Sequence, residues 1–331
     1  MAQWGLAAGV SAANDYWGPA SDFPIILGNN AAGFPHIFVG TSVPLNLWIV
    51  RVQARTLFGR LTQTVYAPLK GDTAIRVATG AVVVVTPRWP AGLEFGMTRF
   101  IHRVWAWHTS VVAGLYSPFQ FSSRNDPFEN GLASVFFRWV VPRARVEVYG
   151  EYGTDDSRYN FREIIVEPDH IAGYTVGLRH VTIRPGGKFR VIRAEVQNLQ
   201  RGTLVQSRSQ GPFYIHSPLT QGHTYRGQIL GSEWGEGGAA AKVAVDWYDA
   251  GGRWTVAWSR LLRGDTGDTV ATVPQNPRGL DVMHTLGVER LFFHGRYDVL
   301  VGATAVYELN RDFLRDAFNL NLIAGARAAL R

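Results

Sequence analysis

The chain has 331 residues, a formal net charge of +7 and no cysteine, which excludes a disulfide scaffold, a thiolate metal site and a Cys nucleophile while leaving the compartment open. The charge is carried almost wholly by Arg, since Lys occurs only at Lys70, Lys188 and Lys242. Arg is scattered through alternating segments, with no basic block and no RNP-like, zinc-finger or helix-turn-helix signature, so nucleic acid is not the expected partner.

The opening residues MAQWGLAAGVSAAND contain no basic n-region and no proper apolar h-region, and do not read as a secretory signal peptide. No run of about 18 apolar residues follows anywhere, so a transmembrane helix is not expected. The next stretch, NDYWGPASDFPIILGNNAAGFPHI from Asn14 to Ile37, is crowded with turn chemistry. Pro19, Pro24 and Pro35 withhold backbone donors and fix φ, which makes a central regular strand improbable here. Gly18, Gly28 and Gly33 permit tight bends. The amides of Asn29 and Asn30 suit either loose backbone groups or sugar hydroxyls. The stretch therefore reads as a segment that folds into an interior and satisfies itself there, or as one that touches sugar.

Beyond it, period-two alternation dominates. In chain order the candidate strands are LNLWIVRVQARTLFG, AIRVATGAVVVVTP, GLEFGMTRFIHRVW, LASVFFRWVVP, ARVEVYGEYG, YTVGLRHVTIR, KFRVIRAEVQNL, AKVAVDWYD, GRWTVAWSRLLR, VMHTLGVERLFFH, YDVLVGATAVYEL and FNLNLIAGARAAL. In GRWTVAWSRLLR, Trp254, Val256, Trp258 and Leu262 share one face while Arg253, Thr255, Ala257 and Ser259 share the other. In YDVLVGATAVYEL, Tyr297, Val299, Val301 and Tyr307 oppose Asp298, Thr304 and Glu308. Short turn signals such as VPRA, RPGGK, DAGGR and HGRY join many neighbours, as in sequential hairpins.

These strands suit the roughly 9 to 11 residues needed to cross a membrane, against about 5 to 6 in a soluble sandwich. Trp254, Trp258, Tyr297 and Tyr307 suit the aromatic girdles of a lipid-facing wall. The expected class is all-β: one domain over 1–331, a large antiparallel outer-membrane β-barrel, closed because lipid tolerates no unpaired edge. Longer connections at 14–43, 103–130, 153–170, 199–240 and 263–281 interrupt the pattern, and connections of such length are usually functional. Of these, 14–43 and 199–240 are the candidate plugs or loop inserts.

Carbohydrate recognition asks for aromatic faces against sugar rings with planar polar groups at their edges. Trp17, Trp105, Trp107, Tyr116, Tyr214, Tyr225 and Trp234 lie in or beside the long connections, with Asn29, Asn30 and His36 in the first; burial against the wall is the alternative use of each ring. Arg103, Arg124, Arg208 and Arg226 could grip uronic acids bidentately, or form a ladder with Glu and Asp of facing strands. GHTYRGQILGSEWGEGG, from Gly222 to Gly238, reads as a loop presenting Tyr225, Arg226 and Trp234, or as a bulged strand and turn.

Catalytic signals are weak. In EPDH, Glu167, Asp169 and His170 on an extended chain would point to opposite faces and need not converge. His102 and His108 share strand parity without the further ligands a metal site needs. The TDD at 154–156 reads as an exposed turn, and no Gly-x-Ser-x-Gly elbow is present. No enzyme, metal or cofactor is expected.

The Trp-Gly-Pro and Asn-Asn-Ala of the opening stretch, followed in order by VEVYGEYGTDD, EPDHIAGYTVGLRH, RAEVQNLQ and GHTYRGQILGSEWG, resemble the Wzi family of outer-membrane capsule-assembly proteins over roughly residues 14 to 300. The resemblance implies a barrel of roughly 14 or more strands with a partly plugged interior. It also implies a non-enzymatic, lectin-like role, holding capsular polysaccharide at the bacterial surface. It further implies that a signal peptide, a helical region and some early strands precede this sequence. The expected partners are surface polysaccharide and outer-membrane lipid, with the protein a monomer. A sugar- or anion-selective porin with an open Arg-lined lumen is the alternative; a surface hydrolase using Glu167 and His170 is a third reading.

Overall fold

The computed structural model describes residues 2–3, 5–64, 75–105, 110–120, 129–155, 161–202, 211–216, 219, 221–235, 237–263, 280–312 and 314–328. Trp107, Arg124 and Arg208 fall outside them. The wall begins with β1 (Ala2–Gln3), β2 (Leu6–Ser11), β3 (His36–Thr41), β4 (Leu45–Asn46), β5 (Val50–Leu61), β6 (Arg76–Pro87) and β7 (Leu93–Val104). It continues through β8 (Glu129–Val141), β9 (Val146–Asp155), β10 (Ala172–Arg184) and β11 (Lys188–Asn198). After the hairpin of β12 (Thr224–Tyr225) and β13 (Gln228–Ile229) come β14 (Ala239–Asp249), β15 (Gly252–Leu262), β16 (Val282–His294), β17 (Tyr297–Arg311) and β18 (Arg315–Ala328). Apart from β12 and β13, these form one 16-stranded sheet in which sequence neighbours pair antiparallel.

Every candidate strand of the sequence lies in this wall. Three further wall strands are β1, β2 and β3, and the longer two carry no polar alternation: LAAGVS and HIFVGT lack the contrast between faces on which period-two reading depends. The insert expected at 14–43 is accordingly shorter, because His36–Thr41 pairs with both β2 and β5 as wall. Two short helices, α1 (Val111–Tyr116) and α2 (Phe161–Val166), occupy other long connections.

Strand parity sorts the side chains. Trp254, Trp258, Tyr297 and Tyr307 point outward and are exposed, as are Val135, Phe137, Trp139, Val176 and Leu178, which gives the apolar exterior that lipid requires. The inward set includes Leu57, Leu61, Ala78, Phe100 and Leu132, and these pack on the irregular segments between β2 and β3 and between β11 and β14: Trp17, Ile25, Ile26, Leu27, Ala31 and Phe34 from the first, Phe213, Tyr214, Tyr225 and Leu230 from the second. The hydrophobic core is thus the meeting of wall and plug.

Contacts along the plug require the sheet to curl. Trp17 packs on Phe100 of β7, Glu195 of β11 binds Ser21, and Phe23 sits with Ala240 of β14 and Leu261 of β15. Laid flat, β7 to β15 are six steps, or roughly 29 Å at the usual strand spacing. The seven residues from Trp17 to Phe23 extend to at most about 25 Å, and Trp17 N–H donates back to Leu27 O at 3.1 Å, so the segment is far from extended. The wall wraps round its plug.

The tip of the plug is held by one carboxylate. Glu195 accepts from the backbone N–H groups of Ser21 at 2.7 Å, Asp22 at 3.1 Å and Phe23 at 2.5 Å, and from the Tyr149 hydroxyl at 2.5 Å. The Phe23 carbonyl in turn accepts from Thr175 at 3.0 Å and Gln197 at 2.8 Å, and Asp22 bridges Arg193 at 2.8 Å and Lys242 at 2.5 Å. Replacing Glu195 by Ala strands these donors, each at about 1–3 kcal/mol when buried. Glu195→Ala is expected to lower the temperature at which the folded band is lost on an unboiled gel and to expose residues 14–35 to protease while the strands stay resistant.

Candidate functional site

Most tight turns, at 88–92, 142–145, 185–187, 250–251 and 295–296, gather at one end of the wall. The connections that carry the plug, α1 and α2 gather at the other. Among the described residues, one cavity lies toward each end of the lumen.

The loop-end cavity, of about 280 Å³, is framed by Tyr16, Asp22, Asn29 and Asn30 of the first plug segment, Ser232 and Glu233 of the second, and Lys242 and Ser259 of the wall. Pro24 and Gly28 turn the first segment so that Asn29 and Asn30 face Gly231 and Ser232. Asn30 donates to Ile229 O at 2.9 Å, and Gly28 N–H to Leu230 O at 2.8 Å, which locks the two segments together. Tyr16 donates to Ala20 O at 2.8 Å. Burial, reinforced by Glu195 and Asp22, pushes the Tyr16 phenol up, so it stays a neutral donor beside a half-open ring. The lining mixes amides, hydroxyls, one ammonium and two carboxylates, a set that can donate to and accept from a polyol. Gly18 makes the approach possible: its φ is +89°, and a Cβ there would lie 2.5 Å from the Glu151 carboxylate.

Behind this cavity the plug is closed by stacked rings. Tyr214 stacks on His223 at 5.3 Å, and His223 meets Phe100 edge-on at 5.1 Å. Tyr214 donates to Ile25 O at 2.5 Å, and burial pushes its phenol up. His223 Nε2–H donates to Ile26 O at 2.7 Å. Arg76, fully buried, donates to Gly222 O and Thr224 O at 2.5 Å each and to His102 Nδ1 at 3.2 Å. His102 therefore serves the plug–wall joint.

The structure divides the sequence candidates. Asn29 and Asn30 line the loop-end cavity, and half-buried Trp234 adjoins it, donating to Glu233 at 2.8 Å and packing by Phe23 and Leu261. Trp17, 4% exposed, and Tyr225 are core rings, and His36 is buried with Asp15 at 3.1 Å and the Phe34 carbonyl at 2.9 Å; these three serve the plug. Arg226 is exposed at a φ of 51°, 5.2 Å from the Tyr225 ring, in the β12–β13 hairpin, so Gly222–Gly238 is in part the strand-and-turn form. Arg103 points outward from β7 to Glu129 at 3.5 Å. Trp105 and Tyr116 also lie outside the wall, where α1 packs on Phe58.

Two of the three EPDH groups, Glu167 and His170, do meet, contrary to the extended-chain expectation, while Asp169 stays exposed. The turn after α2 brings His170 Nδ1 to Glu167 at 3.2 Å and Nε2 to Glu163 at 3.9 Å, all three buried. A helical turn puts i, i+4 and i+7 on one face, and the Glu163–Val166 periodicity was too short to read. Among the described residues no group of three or more His, Asp or Glu is arranged to hold a metal ion.

Tyr16, Asp22, Ser232, Glu233 and Lys242 were not singled out from sequence. Asp22 sits beside Pro24 within the quoted stretch, but nothing local links it to Arg193 or Lys242, more than 170 residues on.

A long-stranded antiparallel wall with an apolar exterior, curled round its own polar-lined loops, defines an outer-membrane β-barrel with a plugged lumen. The profile of the capsule assembly protein Wzi family matches residues 1–304, and the chain belongs to that family. Among solved structures it is similar to Wzi of Escherichia coli, an outer-membrane protein involved in group 1 capsule assembly and described as a carbohydrate-binding β-barrel. The likeness has a TM-score of 0.69 at 14% identity and covers 98% of this chain and 67% of that one. No curated protein matches.

His223 gives the plug a pH dependence. Burial above all, with Arg76 adding, lowers its pKa from 6.5 to about 4, against the opposing hydrogen bond to Ile26. The unfolded chain takes up a proton below about 6.5 that the folded chain refuses. Stability is therefore unaffected by this group above pH 7, falls as pH drops through 6.5, and levels off below 4. The difference is about 3 kcal/mol at 1.36 kcal/mol per unit. Urea titrations at pH 7.5 and 4.5 are expected to show the loss, and His223→Gln to reduce it.

Proposed function

We propose that this protein is a non-enzymatic, lectin-like component of capsule assembly that holds exported capsular polysaccharide at the outer face of the outer membrane. In bacterial barrels short turns face the periplasm and longer connections the exterior, which puts the loop-end cavity toward the medium. The observation that carries the reading is that cavity: about 280 Å³, with a Tyr ring and planar amide, carboxylate and hydroxyl groups on two locked plug segments. A pre-formed site of this kind loses little freedom on binding. Membership of the capsule-assembly family and the likeness to a carbohydrate-binding barrel support it.

The porin reading is weaker, because plug side chains fill the lumen from β5 to β15. Conductance in a planar bilayer separates the two: the lectin reading expects small or no steady currents, and large single-channel steps would overturn it.

The direct test is binding of capsular polysaccharide from the source strain to detergent-solubilised protein, beside an unrelated polysaccharide. Tyr16→Ala and Glu233→Ala are each expected to weaken selective binding by on the order of tenfold, about 1.4 kcal/mol, with the barrel still folded. Unchanged binding in both would remove the cavity as the site.

A further inference from the structure

The second cavity, of about 610 Å³, opens at the turn end, and we infer that it is a separate subsite for a carboxylate-bearing saccharide at the periplasmic mouth. The inference rests on the saccharide-binding reading for its ligand class and takes its position and charge preference from the cavity itself.

Four guanidinium groups line it, those of Arg145, Arg179, Arg193 and Arg253, against the two carboxylates of Glu147 and Asp246. Arg179 is 3.6 Å from Glu147, and Arg193 is 3.1 Å from Asp246. Both acids are thereby committed, each to a second cation or hydroxyl as well: Arg138 on Glu147 at 2.9 Å, Thr255 on Asp246 at 2.6 Å. Arg145 and Arg253 have no acidic partner among the described residues, and Arg253 Nε is buried without an acceptor. An uncompensated guanidinium in a recess attracts an anion, and its fork fits a carboxylate.

The backbone positions that carry the two unpartnered groups are fixed. Arg145 stands in the tight β8–β9 turn at a φ of 57°, its carbonyl accepting from Val181 N–H at 2.9 Å. Arg253 follows the β14–β15 turn, in register with Tyr248. Tyr248, also in the lining, stacks on Phe189 at 4.4 Å and 12°, and strand parity points both rings inward at the mouth. Paired rings beside unpartnered guanidinium groups offer a flat apolar face and a cationic fork together, which complement the ring face and the carboxylate of a uronic-acid residue. The floor of the cavity is the Arg193–Asp22 bridge, so the plug tip separates this subsite from the one at the loop end.

Carboxylate-bearing saccharide can reach this mouth from two sources, an acidic polymer or the cell wall, and the experiment includes both. Full-length protein in detergent is titrated calorimetrically with trigalacturonate, with a muropeptide carrying free carboxylates, and with neutral maltotriose. Saturable binding of either acidic probe, weakened at least tenfold in Arg145→Gln/Arg253→Gln and weakened by salt, with maltotriose not bound, is the expected result; the probe that binds identifies the source. Equal binding of the neutral sugar, no binding of either acid, or binding indifferent to the double substitution overturns the inference. An unchanged unboiled-gel mobility checks that the variant is folded, and Arg145→Lys/Arg253→Lys, which keeps the charge but loses the fork, is expected to recover only part of the affinity. Tyr16→Ala should leave trigalacturonate binding intact. In the unsubstituted protein, failure to bind capsular polysaccharide with trigalacturonate still bound would refute the proposed function alone, and capsular polysaccharide binding without either acidic probe bound would refute this subsite alone.

Discussion

One buried carboxylate organises the interior. Glu195 gathers three consecutive backbone N–H groups at the tip of the first plug segment, and a charged acceptor is what makes such a turn hold, since hydrogen bonds to an ionised group are about twice as strong as neutral ones. With the tip fixed, Asp22 meets Arg193 and Lys242, and Phe23 drops between Ala240 and Leu261. The remaining plug then has only one way to run, back past Trp17 and out to Asn29.

The same anchor divides the lumen. The recess loop-ward of Asp22 is polar and framed by two plug segments with Lys242 and Ser259 of the wall; the one turn-ward is an Arg-rich vestibule lined by the wall alone. A barrel of this width would otherwise be an aqueous channel. Here apolar rings of the plug pack against inward side chains of the wall, with buried polar groups such as Arg76 and Tyr214 spent on plug carbonyls. The protein thus has a core in the usual sense, displaced from between layers to inside a single curled sheet.

The exterior shows the complementary solution. Outward positions are mostly Val, Leu, Phe and Trp, and β5 to β7 also place Thr56, Thr79 and Arg99 on the outer face. There the segment from 110 to 120 covers them: Thr56 donates to Leu115 O at 2.7 Å, Ser117 to Thr79 at 3.0 Å, and Arg99 to Gln120 O at 2.6 Å. Polar atoms facing lipid need partners of their own, and the short α1 supplies them while turning Val112 and Tyr116 outward.

The sequence by itself determined the wall, because a strand half in lipid and half in a polar lumen must alternate, and alternation is visible one strand at a time in stretches such as GRWTVAWSRLLR. It also marked 14–43 as irregular through Pro19, Pro24 and Pro35, of which the part from His36 to Thr41 is wall. It hid β2 and β3, whose two faces are alike in polarity, and it hid the Glu163–Glu167–His170 cluster, which depends on a helix too short to show a period. What only the tertiary structure decided is which face of each irregular residue matters. Trp17 and Asn30 look equally suited to sugar in the sequence, yet one is sealed against Phe100 and the other borders a cavity, because Glu195 at 174 positions from Ser21 sets where the segment turns. Pairings across such separations leave no local trace, and the two recesses are made of nothing else.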